Sequence, residues 1–92
     1  MKLLYELQDV IKERKTDPTD GSYTSQLFEL GIDEILKKIG EESVEVILAA
    51  KGQGDRRLIS ESADLIYHLI VLLVETGVIL EDIEQELQRR RS

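Results

Sequence analysis

The sequence has no cysteine and no tryptophan, and only one proline, one phenylalanine and one histidine. Without cysteine, neither a disulfide framework nor a thiolate metal centre can staple a small fold. Stability must come from helix packing or from a second subunit. Aromatic residues make up 4% of the chain, and no segment shows the apolar–polar alternation of a half-buried strand. The longest unbroken apolar run, Leu69–Val74, has six residues, far below the roughly 20 that span a bilayer. Basic residues are also in deficit: 12 Lys and Arg stand against 19 Asp and Glu, a net charge of −7. A nucleic-acid backbone or an anionic membrane surface needs the opposite balance, so neither is an expected partner. An acidic protein can still bind a polyphosphate if divalent cations stand between the two. Met1–Lys15 is studded with charge and lacks the apolar centre of a signal peptide, which makes the cytoplasm the expected location.

What is present favours helix. Leu, Ile, Glu and Lys dominate, all tolerated or preferred in that conformation. Ninety-two residues make a single expected domain, 1–92, whose own core must be thin, because a chain this short buries only about 60–65% of its unfolded surface. Pro18, Gly21, Gly31, Gly52, Gly54 and Gly77 read as breaks. Between them the spacing predicts helices over about Leu3–Arg14, Thr24–Leu30, Asp33–Lys51, Asp55–Thr76 and Glu81–Arg90. Ser22 or Thr24 can cap the second, and Ile83 and Leu87 are expected to point inward from the fifth. Arg89–Arg91 reads as a solvated tail that suits a helix C-terminus. Gly40 is the odd glycine, inside a helix, where close approach of another helix would explain it. The fold class expected is all-α, a bundle of four to five helices built around an antiparallel helical hairpin.

Placed on a wheel at ~100° per residue, the third predicted helix has a broad apolar face, Ile35, Leu36, Ile39, Val46, Ile47 and Ala50, and a narrower stripe of Val44 and Leu48. Two apolar faces usually mean two partners, one of them plausibly a second subunit. Lys38, Glu42 and Glu45 lie along a border between them. The fourth helix is apolar around most of its circumference, save one strip of Glu61, Asp64, His68 and Glu75. The connection between the two is short, which makes them antiparallel neighbours. With Gln53 as the hairpin centre, Glu45 and Glu61 are each eight residues away, Glu42 and Asp64 eleven, Lys38 and His68 fifteen. Two acidic pairs are thus matched level by level across a gap of about 8–10 Å. Four carboxylates in such a frame can surround one or two hard cations such as Mg²⁺. Glutamates on helices more often simply face water, and a lone histidine on a buried helix is more often a hydrogen-bonded core residue than a ligand. Both readings stand at this level. For His68, Asp64 one turn earlier is a ready orienting partner; Tyr67 reads as packing.

At Lys38-Ile39-Gly40-Glu41-Glu42-Ser43-Val44-Glu45 and Glu61-Ser62-Ala63-Asp64-Leu65-Ile66-Tyr67-His68 the chain resembles the phosphoribosyl-ATP pyrophosphohydrolase family, one of the all-α NTP pyrophosphatases (MazG-like). Gly21-Ser22-Tyr23-Thr24 is similar to that family's stretch before its second helix. Ser43 and Ser62 stand where the family often has alanine; neither touches an acidic position. The resemblance implies the second step of histidine biosynthesis, phosphoribosyl-ATP and water giving phosphoribosyl-AMP and pyrophosphate. It implies a bundle completed by dimerisation, as a homodimer, and metal ligands at the family's two acidic pairs, here Glu42, Glu45, Glu61 and Asp64.

On that reading Mg²⁺, or Mn²⁺ in its place, sits among the four acids, and Glu41 or Glu42 accepts the proton of the attacking water. Lys38 is placed to contact phosphate, as more weakly are Lys51 and Arg56 at the hairpin tip. Ser22, Tyr23 and Thr24, near a helix start, are expected at the substrate, with His68 beside them. Two rivals use the same residues differently: a housecleaning pyrophosphatase for another NTP, and a helical oligomerisation module without catalysis. A carboxylate-bridged iron bundle is disfavoured, since it wants Glu-x-x-His and the histidine follows Glu61 by seven residues.

Overall fold

The computed structural model describes residues 1–91; Ser92, the last residue of the expected domain, lies outside them. Five helices follow one another: α1 (Lys2–Thr16), α2 (Tyr23–Leu30), α3 (Ile32–Gly52), α4 (Asp55–Thr76) and α5 (Leu80–Arg91), with no strand among the described residues. The long hairpin of α3 and α4 is the frame, with α1 packed on α4 and α2 bridging α1 and α3. No single helix is long and apolar enough to cross a membrane.

The helix ends follow local chemistry. Ser22 caps α2, its hydroxyl accepting from the Ser25 amide at 3.2 Å. Gly77 ends α4 in the left-handed conformation, φ 81°, where a Cβ would be strained. Gly52, expected to break the chain, instead completes the last turn of α3, and the turn falls on Gln53 and Gly54.

Five side chains meet at the centre: Ile11 of α1, Leu27 of α2, Ile35 of α3, and Ile70 and Val71 of α4. Each is at most 2% exposed. Around them pack half-buried Leu4, Leu7, Phe28, Ile39, Tyr67, Leu72, Val74 and Leu80. The Cα radius of gyration, 14.3 Å, exceeds the ~12 Å expected of a compact domain this long. The excess fits the apolar surface left outside: Leu36, Val44, Ile47 and Leu48 on α3, and Ile59, Ile66 and Leu69 on α4, are all exposed.

Helix α5 departs from expectation. It leaves α4 at 110°, and Ile83 and Leu87 are 41% and 61% exposed rather than turned inward. Beside the packing of Leu80 on the core, polar bonds tie the helix to α1. Buried Gln8 accepts from the Leu80 amide at 2.8 Å through its carbonyl oxygen and donates to Glu81 at 3.3 Å through its nitrogen. Tyr5 hydrogen-bonds Glu84, which with burial and the charges of Glu84 and Glu81 raises its phenol to about 12. The arginine tail is exposed, as expected, with Arg89 and Arg90 both paired to Glu86.

Gly40 also differs. A Cβ built there meets nothing within 4 Å, so no helix of this chain crowds it. Gly40→Ala should therefore stabilise the chain by about 0.5–1 kcal/mol, through reduced entropy of the unfolded state. Thermal denaturation checks this. A drop in Tm would mean that a second copy packs on that face.

Candidate metal centre

The acids come together at the middle of the α3–α4 hairpin. One carboxylate oxygen each from Glu42, Glu61 and Asp64 lie within 4.8 Å of one another. Helix α3 supplies Glu42; α4 supplies Glu61 and, three residues on, Asp64 on the same face. Glu61 is buried at 7% exposure, Glu42 half-buried and Asp64 open to solvent, so the cluster has a closed floor and an open mouth. Burial pushes the Glu42 carboxyl up, helped by its hydrogen bond to Glu61 and the charges of Asp64 and Glu61; His68 opposes the shift. A carboxyl pushed up by its neighbours is one that a cation would relieve. The donors are hard oxygens, some with room for water, a set that fits Mg²⁺ or Mn²⁺ rather than a soft metal.

The raised Glu42 pKa has a sign. The folded protein holds that proton more tightly than the unfolded chain does. The contribution is fully present below the ordinary value of 4.5 and is lost as pH rises through the folded value. In divalent-free buffer, Tm should fall over that window in the unmodified chain and fall less in Glu42→Gln. Equal slopes by calorimetry would contradict the shift.

Glu45 stands outside this triad. Level-matching placed it opposite Glu61 as a fourth member of the centre. Glu45 instead shares Arg57 with Glu61: the guanidinium Nη2 is 3.0 Å from Glu61 Oε1 and 3.8 Å from Glu45 Oε2. Arg57 escaped the sequence reading. Its signal was its place four residues before Glu61, on the helix face that carries the acids.

Helix α2 borders the centre. His68 donates from Nδ1 to the Asp64 carbonyl oxygen, 2.7 Å away, and its Nε2 meets the Tyr23 hydroxyl at 2.7 Å. The carbonyl can only accept, so Nδ1 carries the proton and the phenol donates to Nε2. Asp64 thus orients the imidazole, as its spacing suggested, but through its backbone. The Tyr23 phenol is raised by burial and by the charge of Glu42, against the pull of Lys38, so all three groups share one field. Of the other expected substrate contacts, Ser22 spends its hydroxyl on the cap and buried Thr24 bonds the Tyr67 hydroxyl. Half-buried Lys38 pairs with Glu41 at 3.7 Å. Lys51 lies exposed in the last turn of α3, toward the hairpin tip.

Comparison with known proteins supplies the family. The family model of phosphoribosyl-ATP pyrophosphohydrolase matches residues 4–91. The chain belongs to the phosphoribosyl-ATP pyrophosphohydrolase family. It is 57% identical over 90 residues to the phosphoribosyl-ATP pyrophosphatase of Lactiplantibacillus plantarum, covering 98% of this chain and 85% of that one. The corresponding pyrophosphatase of Listeria innocua is 58% identical over 88 residues, 96% of this chain and 84% of that one. The histidine biosynthesis bifunctional protein HisIE of Caldanaerobacter subterraneus is 52% identical over 90 residues, 98% of this chain but 44% of its own length. As a member of the phosphoribosyl-ATP pyrophosphohydrolase family the chain is a hydrolase, and the oligomerisation module without catalysis falls away.

Proposed function

We propose that the chain, acting as one domain over residues 1–92, hydrolyses the α–β phosphoanhydride bond of phosphoribosyl-ATP to phosphoribosyl-AMP and pyrophosphate. The observation that carries the reading is the convergence of Glu42, Glu61 and Asp64 on one point of the hairpin, in a chain whose relatives bear that enzyme's name. Glu42, Glu61 and Asp64 would hold Mg²⁺, with Glu45 as the fourth ligand. When bound, the ion supplies charge neutralisation for the triphosphate and a Lewis acid for a phosphoryl oxygen.

The chain's own residues do the rest. Glu42, half-buried among the acids, accepts the proton of the attacking water through an oxygen it does not give to the cation. Glu41 is the lesser candidate, since it is exposed and engaged by Lys38. Lys38 and the Tyr23 hydroxyl flank the acids on the α2 side and meet the phosphates or the ribose. Buried His68 holds Tyr23 in place, while Ser22 and Thr24 fix the backbone that presents it.

The working unit is a homodimer. Exposed apolar residues run along both hairpin helices, and a core of this size gains most from a second copy covering them. The cytoplasm is the compartment we assign to it, in keeping with a nucleotide intermediate of amino-acid biosynthesis.

The test is incubation with phosphoribosyl-ATP, with and without MgCl₂, followed by assay for pyrophosphate. Pyrophosphate should form only with the cation. None at saturating Mg²⁺ would overturn the reading, and faster release from another NTP would move the substrate to the housecleaning class.

A further inference from the structure

Among the described residues, Arg57 alone makes ion pairs with any of the four acids. Helix α4 does not favour a cation at this position. Arg57 is its third residue, in the turn where the helix dipole prefers anions. Arginine before glutamate at i,i+4 is also the weaker order of an intrahelical pair. The pairing is better explained by the acids of both helices. The Glu61 side chain is only 9% exposed, against 52% for Arg57. The glutamate therefore lacks water to stabilise its charge, whereas the guanidinium can swing out and be hydrated. Glu61 also belongs to the converging triad. A divalent ion drawing on the Glu61 carboxylate, and on Glu45 with it, meets a guanidinium already in place.

We propose that Arg57 is a built-in competitor of the divalent cation. It neutralises Glu61 and Glu45 across the hairpin, lowers the centre's affinity for a free cation, and releases both carboxylates when it turns outward. A polyphosphate favours that outward turn, because guanidinium and phosphate form charge-assisted, often bidentate, hydrogen bonds. Cation loading is thereby coupled to the arrival of a phosphate-rich substrate. The inference rests on the cation-centre reading given above.

The test needs no turnover. The full chain is titrated with Mn²⁺, and the free-ion electron paramagnetic resonance signal is followed. Arg57→Gln should bind Mn²⁺ about fivefold or more tightly than the unmodified chain, the lower end of ordinary site-to-site coupling. Arg57→Lys, which keeps the charge but not the planar fork, should fall between them and carries the test if the glutamine variant does not fold. Arg56→Gln removes the same charge one residue away and should change affinity by less than about twofold, since surface charges are screened. Unchanged or weaker binding in Arg57→Gln, or equal tightening in Arg56→Gln, overturns the competitor role while leaving the centre standing. Failure of all variants and of the unmodified chain to bind Mn²⁺ removes the centre, and this inference with it.

Discussion

Asp64→Asn should slow pyrophosphate release from phosphoribosyl-ATP on the order of 10²–10³-fold at saturating Mg²⁺. A ligand carboxylate supports several kcal/mol of transition-state charge stabilisation, and each 1.36 kcal/mol is tenfold in rate. Asn keeps the shape of the side chain and one carbonyl oxygen but removes the charge. The fold should survive. Asp64 is exposed, and its structural bond, the acceptance from His68, is made by the backbone carbonyl. Circular dichroism should therefore match the unmodified chain while steady-state kinetics collapse. Near-normal turnover would move the chemistry away from the α3–α4 hairpin. Glu45→Gln should be the milder change, because Glu45 stands off the triad and is held at the tip by Arg57.

Ile11→Ala should cost about 2–5 kcal/mol of stability, the range for a large aliphatic side chain removed from a packed core. Ile11 is 0% exposed and meets the central residues of three other helices. In a domain whose total stability is typically about 5–15 kcal/mol, that is a large fraction. At about 4–8 °C of Tm per kcal/mol for a domain of this size, the midpoint should drop by roughly ten degrees or more. Chemical denaturation with an unchanged m-value would confirm it. A loss below about 1 kcal/mol would mean that α1 contributes little to the core.

The outline of the fold was legible because its signals are local. The caps, the glycine stop at Gly77 and the apolar spacing of α4 act within a turn or two, and α4 falls at Asp55–Thr76 as the pattern predicted. The acidic centre was legible for a related reason: the short turn forces α3 and α4 to be neighbours, so equal distances from Gln53 bring acids to similar heights. What equal counting misses is how the acids are shared out: Glu42 stands with both Glu61 and Asp64, whereas Glu45 meets Glu61 through Arg57. Arg57 was overlooked because a cation near a helix start says little by itself; its role comes from Glu61 one turn on and from Glu45 across the hairpin. The orientation of α5 was illegible too. Its apolar spacing asked for burial, whereas the side-chain bonds of Gln8 and Tyr5, formed over more than seventy residues of chain, settle where it sits.

That last clasp has a bearing on how the molecule is made. Gln8 finds both of its partners at Leu80 and Glu81, so α1 leaves the ribosome long before the residues that fasten it to α5. During synthesis, which proceeds at about 5–20 residues per second, α1 must wait several seconds for its mate. Until then Gln8 stands without its mates, and the fastening depends on how fast the stretch between the two helices is translated.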